Sequence, residues 1–210
     1  MCGRYFLNLD ENIEEIKKIL DEISHKYEGN PILQKVKSGE IFPTEFAASI
    51  IQKDFQREAE ILRWGLPLQN KKEVIINARA ETILEKPLFS SIISNRCLIP
   101  AQGFFEWKKD GSKKQKFFIK PKDCNIFYMA GLYKRVELEG GILVDSFVIL
   151  TTEPAEEIKH IHSRMPVILK KEHEDLWLFE SGSPKALKSL FSQILRPWED
   201  GIEAVEVKNN

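Results

Sequence analysis

Cysteine is scarce: Cys2, Cys97 and Cys124 are the whole complement, too few and too scattered for a disulfide framework or a Cys-x-x-Cys metal site. An odd number of thiols also suits a reducing compartment. Charge of one sign is missing too. The 31 Lys and Arg are balanced by 32 Asp and Glu, for a formal charge of −1, which excludes a protein that holds nucleic acid by composition alone. Any such site has to be a local patch. No apolar run approaches the roughly 20 residues that cross a bilayer; the stretch 141–150 is short and interrupted by Asp145. The opening residues have no apolar signal core. These absences predict a cytoplasmic chain without a membrane partner.

Familiar catalytic signatures are also lacking. There is no Gly-x-Ser-x-Gly elbow, phosphate-binding P-loop, Gly-x-Gly-x-x-Gly turn or His-Glu-x-x-His helix, which removes most of the case for serine hydrolases, nucleotide enzymes and zincins. His160-Ile161-His162 is two histidines without a third ligand nearby, so an acid/base role fits better than zinc, and no metal or other cofactor is expected.

What is present reads as α+β. Ile13, Ile16, Leu20, Ile23 and Tyr27 recur at steps of three and four among Glu and Lys, and Gly29-Asn30-Pro31 ends the pattern; this predicts one amphipathic helix. Short β-rich runs follow at 46–51, 59–64, 74–78, 96–107, 116–120, 126–136 and 142–151, with Asp110-Gly111 and Gly140-Gly141 as hairpin turns. Short helices are expected from Glu153-Pro154 toward His160, and at 173–180 and 184–191. No repeat or composition shift marks a boundary, so residues 1–210 form one domain with a curved, mostly antiparallel, barrel-like sheet. Between Lys108 and Lys122 stand seven lysines and one acid, Asp110; a solvated hairpin protecting a sheet edge explains this better than a phosphate track does.

Several residues can do chemistry. Cys2 becomes N-terminal if Met1 is trimmed, and an aminothiol results. Its amine titrates at about 7.7–8.0 and its thiol at about 8.5, so nucleophilic forms of both exist near neutrality. Such a pair closes a thiazolidine ring on an aldehyde or attacks an amide; for an isolated Met-Cys, chance is the simpler explanation. Asn77 to Thr82 is densely polar after an apolar strand. Glu106 is a lone carboxylate among Phe104, Phe105 and Trp107, where burial would raise its pKa and suit a proton shuttle, or it is an ordinary outward-facing residue. Trp64, beside Gly65 and Pro67, is either a stacking platform or a core residue.

Taken together, six ordered motifs resemble the SOS-response-associated peptidase (SRAP) family. They are Met1-Cys2-Gly3-Arg4-Tyr5, Pro43-Thr44, Arg63-Trp64-Gly65-Leu66, Asn77-Ala78-Arg79-Ala80-Glu81-Thr82, the segment from Arg96 through Gly103-Phe104-Phe105-Glu106-Trp107, and Ile161-His162-Ser163-Arg164-Met165-Pro166. The close, Leu195-Arg196-Pro197-Trp198, is similar as well. The resemblance implies a monomeric, single-domain sensor of abasic sites in single-stranded DNA. It would couple Cys2 to the lesion as a thiazolidine crosslink, shield the damage from cleavage and error-prone synthesis, and associate with the nucleoid when bound. Cys2, Asn77, Glu106 and His162 match the catalytic positions: Asn77 holds the N-terminus, Glu106 assists proton transfer, and His162 helps open the abasic sugar and later assists release. Arg4, Pro43, Trp64, Gly65, Arg79, Thr151 and Arg164 match DNA-binding positions. A cysteine peptidase or N-terminal-nucleophile amidohydrolase, acting only on itself or more widely, is the alternative. Two departures stand out. Leu66 is followed by Pro67-Leu68-Gln69-Asn70 rather than by Ile-Pro and a further Trp, and the segment before Pro43 lacks the usual Asn.

Overall fold

A computed structural model describes residues 2–10, 12–68, 73–111 and 113–208; Met1 and the Gln69-Asn70 loop lie outside them. In chain order the elements are β1 (Tyr5–Leu7), α1 (Glu14–Lys26), β2 (Gly39–Ile41), β3 (Phe46–Lys53), β4 (Gln56–Trp64), β5 (Leu66–Pro67), β6 (Val74–Ile75) and β7 (Asn77–Arg79). Then come α2 (Pro87–Ser90), β8 (Arg96–Ala101), β9 (Gly103–Asp110), β10 (Lys113–Pro121), β11 (Phe127–Leu138) and β12 (Ile142–Thr152). The chain finishes with β13 (Met165–Pro166), β14 (Ile168–Leu169), α3 (Lys171–Phe179), α4 (Pro184–Ile194) and β15 (Ile202–Val207). The expected α+β class with a barrel-like sheet is what forms.

Helix α1 follows from its sequence. Ile16, Ile19 and Ile23 are buried on one stripe, with Glu14 and Glu15 in the first turn and His25 and Lys26 in the last, which suits the helix dipole. It packs on β3 and β4, and Glu22 accepts a hydrogen bond from the Ala59 amide at 2.8 Å.

The core is a closed five-strand barrel in the order β12-β4-β3-β8-β11, with β11 returning to β12. Every neighbouring pair in it is antiparallel except β12 with β4. That exception is a parity requirement, because an odd number of strands cannot alternate direction all the way round. Gly131 marks how tight the interior is: a Cβ there would lie 2.3 Å from Ile99 Cδ1 and 2.9 Å from the Val148 carbonyl. Trp64 and Phe147 are stacked, with centroids 6.3 Å apart, and Tyr5 meets Trp64 edge-on at 5.3 Å.

The predicted run 74–78 is two strands, not one. Strand β4 leaves the edge of β12 at Gly65, whose amide donates to the Phe147 carbonyl at 2.8 Å. The chain makes the β5–β6 excursion, and β7 rejoins the same edge in parallel, Asn77 opposite Ile149 and Arg79 opposite Thr151. The kink needs glycine: φ is +110° at Gly65, and a Cβ would sit 2.9 Å from Val74 Cγ2.

The run 96–107 also divides. Strand β8 belongs to the barrel, while β9 belongs to a second sheet in the order β15-β10-β9-β1-β2. The change comes at Gln102, whose amide donates to the Phe6 carbonyl at 2.8 Å and whose Oε1 accepts from the Asn8 amide at 2.6 Å. The lysine-rich β10 is not a sheet edge, since β15 covers it from Lys116 to Pro121. The helix expected after Pro154 shrinks to one 3-10 turn, Glu156–Ile158.

Substituting Gly65 with Ala forces a side chain into a conformation glycine favours and against Val74. The expected cost is about 1–3 kcal/mol, read as a lower urea midpoint; an unchanged midpoint would show that the kink tolerates a Cβ.

Candidate active site

The barrel rim and the second sheet bring the chain's first residues beside β7 and β9. Cys2 is fully buried. Asn77, the first residue of β7, donates from Nδ2 to the Cys2 carbonyl at 2.8 Å, while the Phe105 amide on β9 donates to the Arg4 carbonyl at 2.9 Å. The N-terminal segment is thus pinned from both sheets. Alternation along β9 puts Glu106 on the side of Phe104, where it is buried. Burial pushes its carboxyl up to about 7. Burial, and then the charge of Glu106, push the Cys2 thiol well up from its ordinary value.

His162 follows the 3-10 turn and is half buried, with Nδ1 3.7 Å from Glu106 Oε1. The same nitrogen lies 3.0 Å from the Arg164 carbonyl and 3.1 Å from the Arg164 amide. A protonated Nδ1 can donate to the carbonyl and a bare one can accept from the amide, so the ring changes charge without losing its place. Burial lowers its pKa. His160, two residues earlier, is exposed. The geometry therefore joins Cys2, Asn77, Glu106 and His162: a pinned aminothiol precursor, a carboxyl near its neutral-pH midpoint and an imidazole biased toward neutrality.

Of the three arginines matched to DNA-binding positions, two are already engaged. Arg164 forms a bidentate fork to Glu81, both contacts 2.8 Å, and donates to the Thr151 carbonyl. Partial burial would raise the Glu81 carboxyl, yet the Arg164 fork holds it below the usual range. Arg4 donates to Glu40 Oε1 at 2.9 Å, and Lys116 reaches the same carboxylate at 2.8 and 3.0 Å. Arg79 is exposed at the end of β7, and Pro43 is half buried between β2 and β3.

Three residues expected to contact DNA are buried. Trp64 has no exposed face: it is fully buried, and its Nε1 donates to the Ile76 carbonyl at 3.0 Å, as a core tryptophan's indole does. Gly65 is also buried and serves as the kink that lets β7 follow β4. Thr151 is buried and acts through Arg164, whose guanidinium it orients.

Sequence reading missed the ring of side chains about Arg4. The Arg4 guanidinium lies 4.0 Å above the Phe42 ring and 5.1 Å from that of Trp107, and Lys116 lies 4.1 Å from the Phe105 ring. The period-two pattern in β9 and β10 carries part of this signal, because Trp107 and Lys116 are direct cross-strand partners. Glu40 joins them only through the pairing of β2 with β1, which nothing local announces.

The whole chain, residues 1–210, matches the model of the family described as SOS response associated peptidase (SRAP). It is 40% identical to the abasic site processing protein YoaM of Bacillus subtilis (strain 168), covering 100% of this chain and 92% of that one. Identity to the abasic site processing protein YoqW of the same strain is 38%, covering 100% and 93%. A crystal structure of a protein from Bacteroides thetaiotaomicron is similar with TM-score 0.77 and 28% identity, over 99% of this chain and 93% of that chain.

Proton-detected NMR titration of the imidazoles is expected to place the His162 midpoint below the ordinary value of about 6.5, because burial disfavours its charged form. A midpoint at or above that value would mean the ring is solvated.

Proposed function

Because the chain belongs to the SRAP family, whose model it matches over residues 1–210, we propose that it captures abasic sites in single-stranded DNA through Cys2 once Met1 is removed. The observation that carries this reading is the pinned N-terminus: Asn77 holds the Cys2 carbonyl, with buried Glu106 near enough for its charge to be felt at the thiol.

An abasic sugar is mostly a closed hemiacetal. Opening it requires loss of the C1′ hydroxyl proton and protonation of the ring oxygen, a transfer suited to His162, which is near neutrality in charge and held in either state. The Cys2 amine then attacks the freed aldehyde carbon, the departing hydroxyl takes a proton from solvent and water leaves, giving an iminium; the proton is returned to solvent through Glu106 after the thiol adds. The thiol adds to the same carbon, its proton passing to the Glu106 carboxylate, and the five-membered ring closes. Aldehyde and aminothiol become thiazolidine and one water. Reactants fixed in this way gain from proximity, worth up to about 7–11 kcal/mol in well-oriented cases. With the aldehyde consumed, the strand is protected from elimination at the lesion.

Electrostatics separate this reading from a cysteine peptidase. A Cys-His peptidase needs a thiolate beside a charged imidazole, hence a lowered thiol pKa and a His that holds its proton. Here the thiol is pushed up by burial and by Glu106, and His162 is pushed down by burial. An amine that attacks first, with the thiol delivering its proton to Glu106 afterwards, uses the groups as they are biased.

Met-trimmed protein mixed with a single strand carrying one abasic site is expected to yield a shifted band on a denaturing gel, absent with an undamaged strand and absent in Cys2→Ala. A Cys2→Ala band of wild-type intensity would rule out the aminothiol. Glu106 acts as a base only when ionised, so the crosslinking rate is expected to fall as pH drops through about 7. Glu106→Gln is expected to lose the Glu106 part of that fall, leaving only the part set by protonation of the Cys2 amine, and to slow the reaction on the order of 10²-fold or more. A single-turnover pH profile unchanged in Glu106→Gln would assign the proton transfer elsewhere.

A further inference from the structure

Glu40 occupies an unusual position for an acid. It lies on β2, the edge strand of the second sheet, and accepts hydrogen bonds from two cations far apart in the chain: Arg4, just before β1, at 2.9 Å, and Lys116 on β10 at 2.8 and 3.0 Å. Both cations rest on aromatic rings, Arg4 over Phe42 and beside Trp107, Lys116 over Phe105. Those rings keep the two positive charges in place whether or not Glu40 is there. The carboxylate presents two acceptor oxygens and one negative charge to them, which is what the two non-bridging oxygens of a backbone phosphate would present. Its side chain keeps 28% of its surface exposed, and an edge strand leaves it room to swing into water.

Building on the reading that DNA backbone docks at Arg4, we infer that Glu40 is an internal competitor for phosphate that holds down reversible binding of single strands. A strand reaches Arg4 and Lys116 only by displacing this carboxylate. Reversible binding to intact DNA is thereby held down, while a lesion captured covalently at Cys2 does not depend on the same reversible affinity. Glu40 touches neither Cys2 nor Glu106 in any described contact; its influence is on which strands dwell long enough to be tested.

Glu40→Gln keeps the size of the side chain and removes its charge, leaving Arg4 and Lys116 one net positive charge richer. Fluorescence anisotropy with a labelled, undamaged single strand is expected to show about 5- to 10-fold tighter binding than wild type at 50 mM salt, with log K against log salt steeper by about 0.7, the increment for one more phosphate neutralised on a single strand. Glu40→Asp, which keeps the charge, is expected to stay near the wild-type slope. Glu40→Asn serves as a second neutral variant, with thermal melting to establish that each protein is folded. An unchanged or shallower slope in both neutral variants would overturn the inference and leave Glu40 as a brace for Arg4. Wild-type crosslinking to an abasic strand, run alongside, tests Cys2 separately. No crosslink together with a Glu40-dependent slope overturns the covalent reading and leaves this one standing; a crosslink without Glu40 dependence does the reverse.

Discussion

Five antiparallel strands cannot close on themselves without one parallel neighbour, and the rest of the molecule is arranged around that parity constraint. Strand β12 supplies the parallel contact with β4, and when β4 peels away at Gly65 the same edge of β12 accepts β7, again in parallel. Asn77 and Arg79 therefore reach the barrel rim beside Thr151. The far end of β12 pairs with β13, which brings Arg164 under Thr151 and sets His162 near the same rim. One strand thus gathers residues from three separate stretches of chain. The second sheet contributes the other half, because the step at Gln102 carries β9 out of the barrel and alongside β1, so that the charge of Glu106 is felt at Cys2.

Within this frame the electrostatics divide by depth. In the interior, desolvation dominates: it raises Glu106 and Cys2 and lowers His162, so each group is drawn toward its neutral form, and Glu106 is left titrating near neutral pH. Toward the surface, pairing dominates. Partial burial alone would raise the carboxyls of Glu40 and Glu81, but hydrogen bonds from Lys116 and Arg4 to the first, and from Arg164 to the second, hold both below their usual range. A cluster of groups drawn toward neutrality is bordered by carboxylates that pair with the neighbouring arginines. This is consistent with a chain of formal charge −1 whose positive patches are local and internally compensated rather than broadcast over the surface.

Much of this was legible in the chain itself. The spacing of Ile13, Ile16, Leu20, Ile23 and Tyr27 follows from 3.6 residues per turn and specifies α1 without reference to the rest of the protein. Asp110-Gly111 and Gly140-Gly141 announce their hairpins because positive φ is cheap at glycine, as observed at Gly111, Gly140 and Gly141. Cys2, Asn77, Glu106 and His162 were visible as residue types that packing alone does not call for, and Glu106 in particular as a carboxyl among aromatics. Trp64 shows where such reading stops. A tryptophan beside glycine and proline has the same local signature whether it caps a surface or fills a core, and only the closure of β12 over β4 made it a core residue.

The sequence by itself determined the elements and the chemistry on offer: periodicity sets helices and strands, turn residues set hairpins, and the reactivity of an aminothiol depends on its own covalent structure. The tertiary structure decided proximity and environment. It split 74–78 and 96–107 between different partners, because strand pairing depends on which distant edge has hydrogen bonds to offer. It raised Glu106, because desolvation depends on everything packed around a group. It joined Glu40 to Arg4 and Lys116, residues 36 and 76 positions away, because Coulomb attraction acts through space and no local pattern encodes which distant charges will meet.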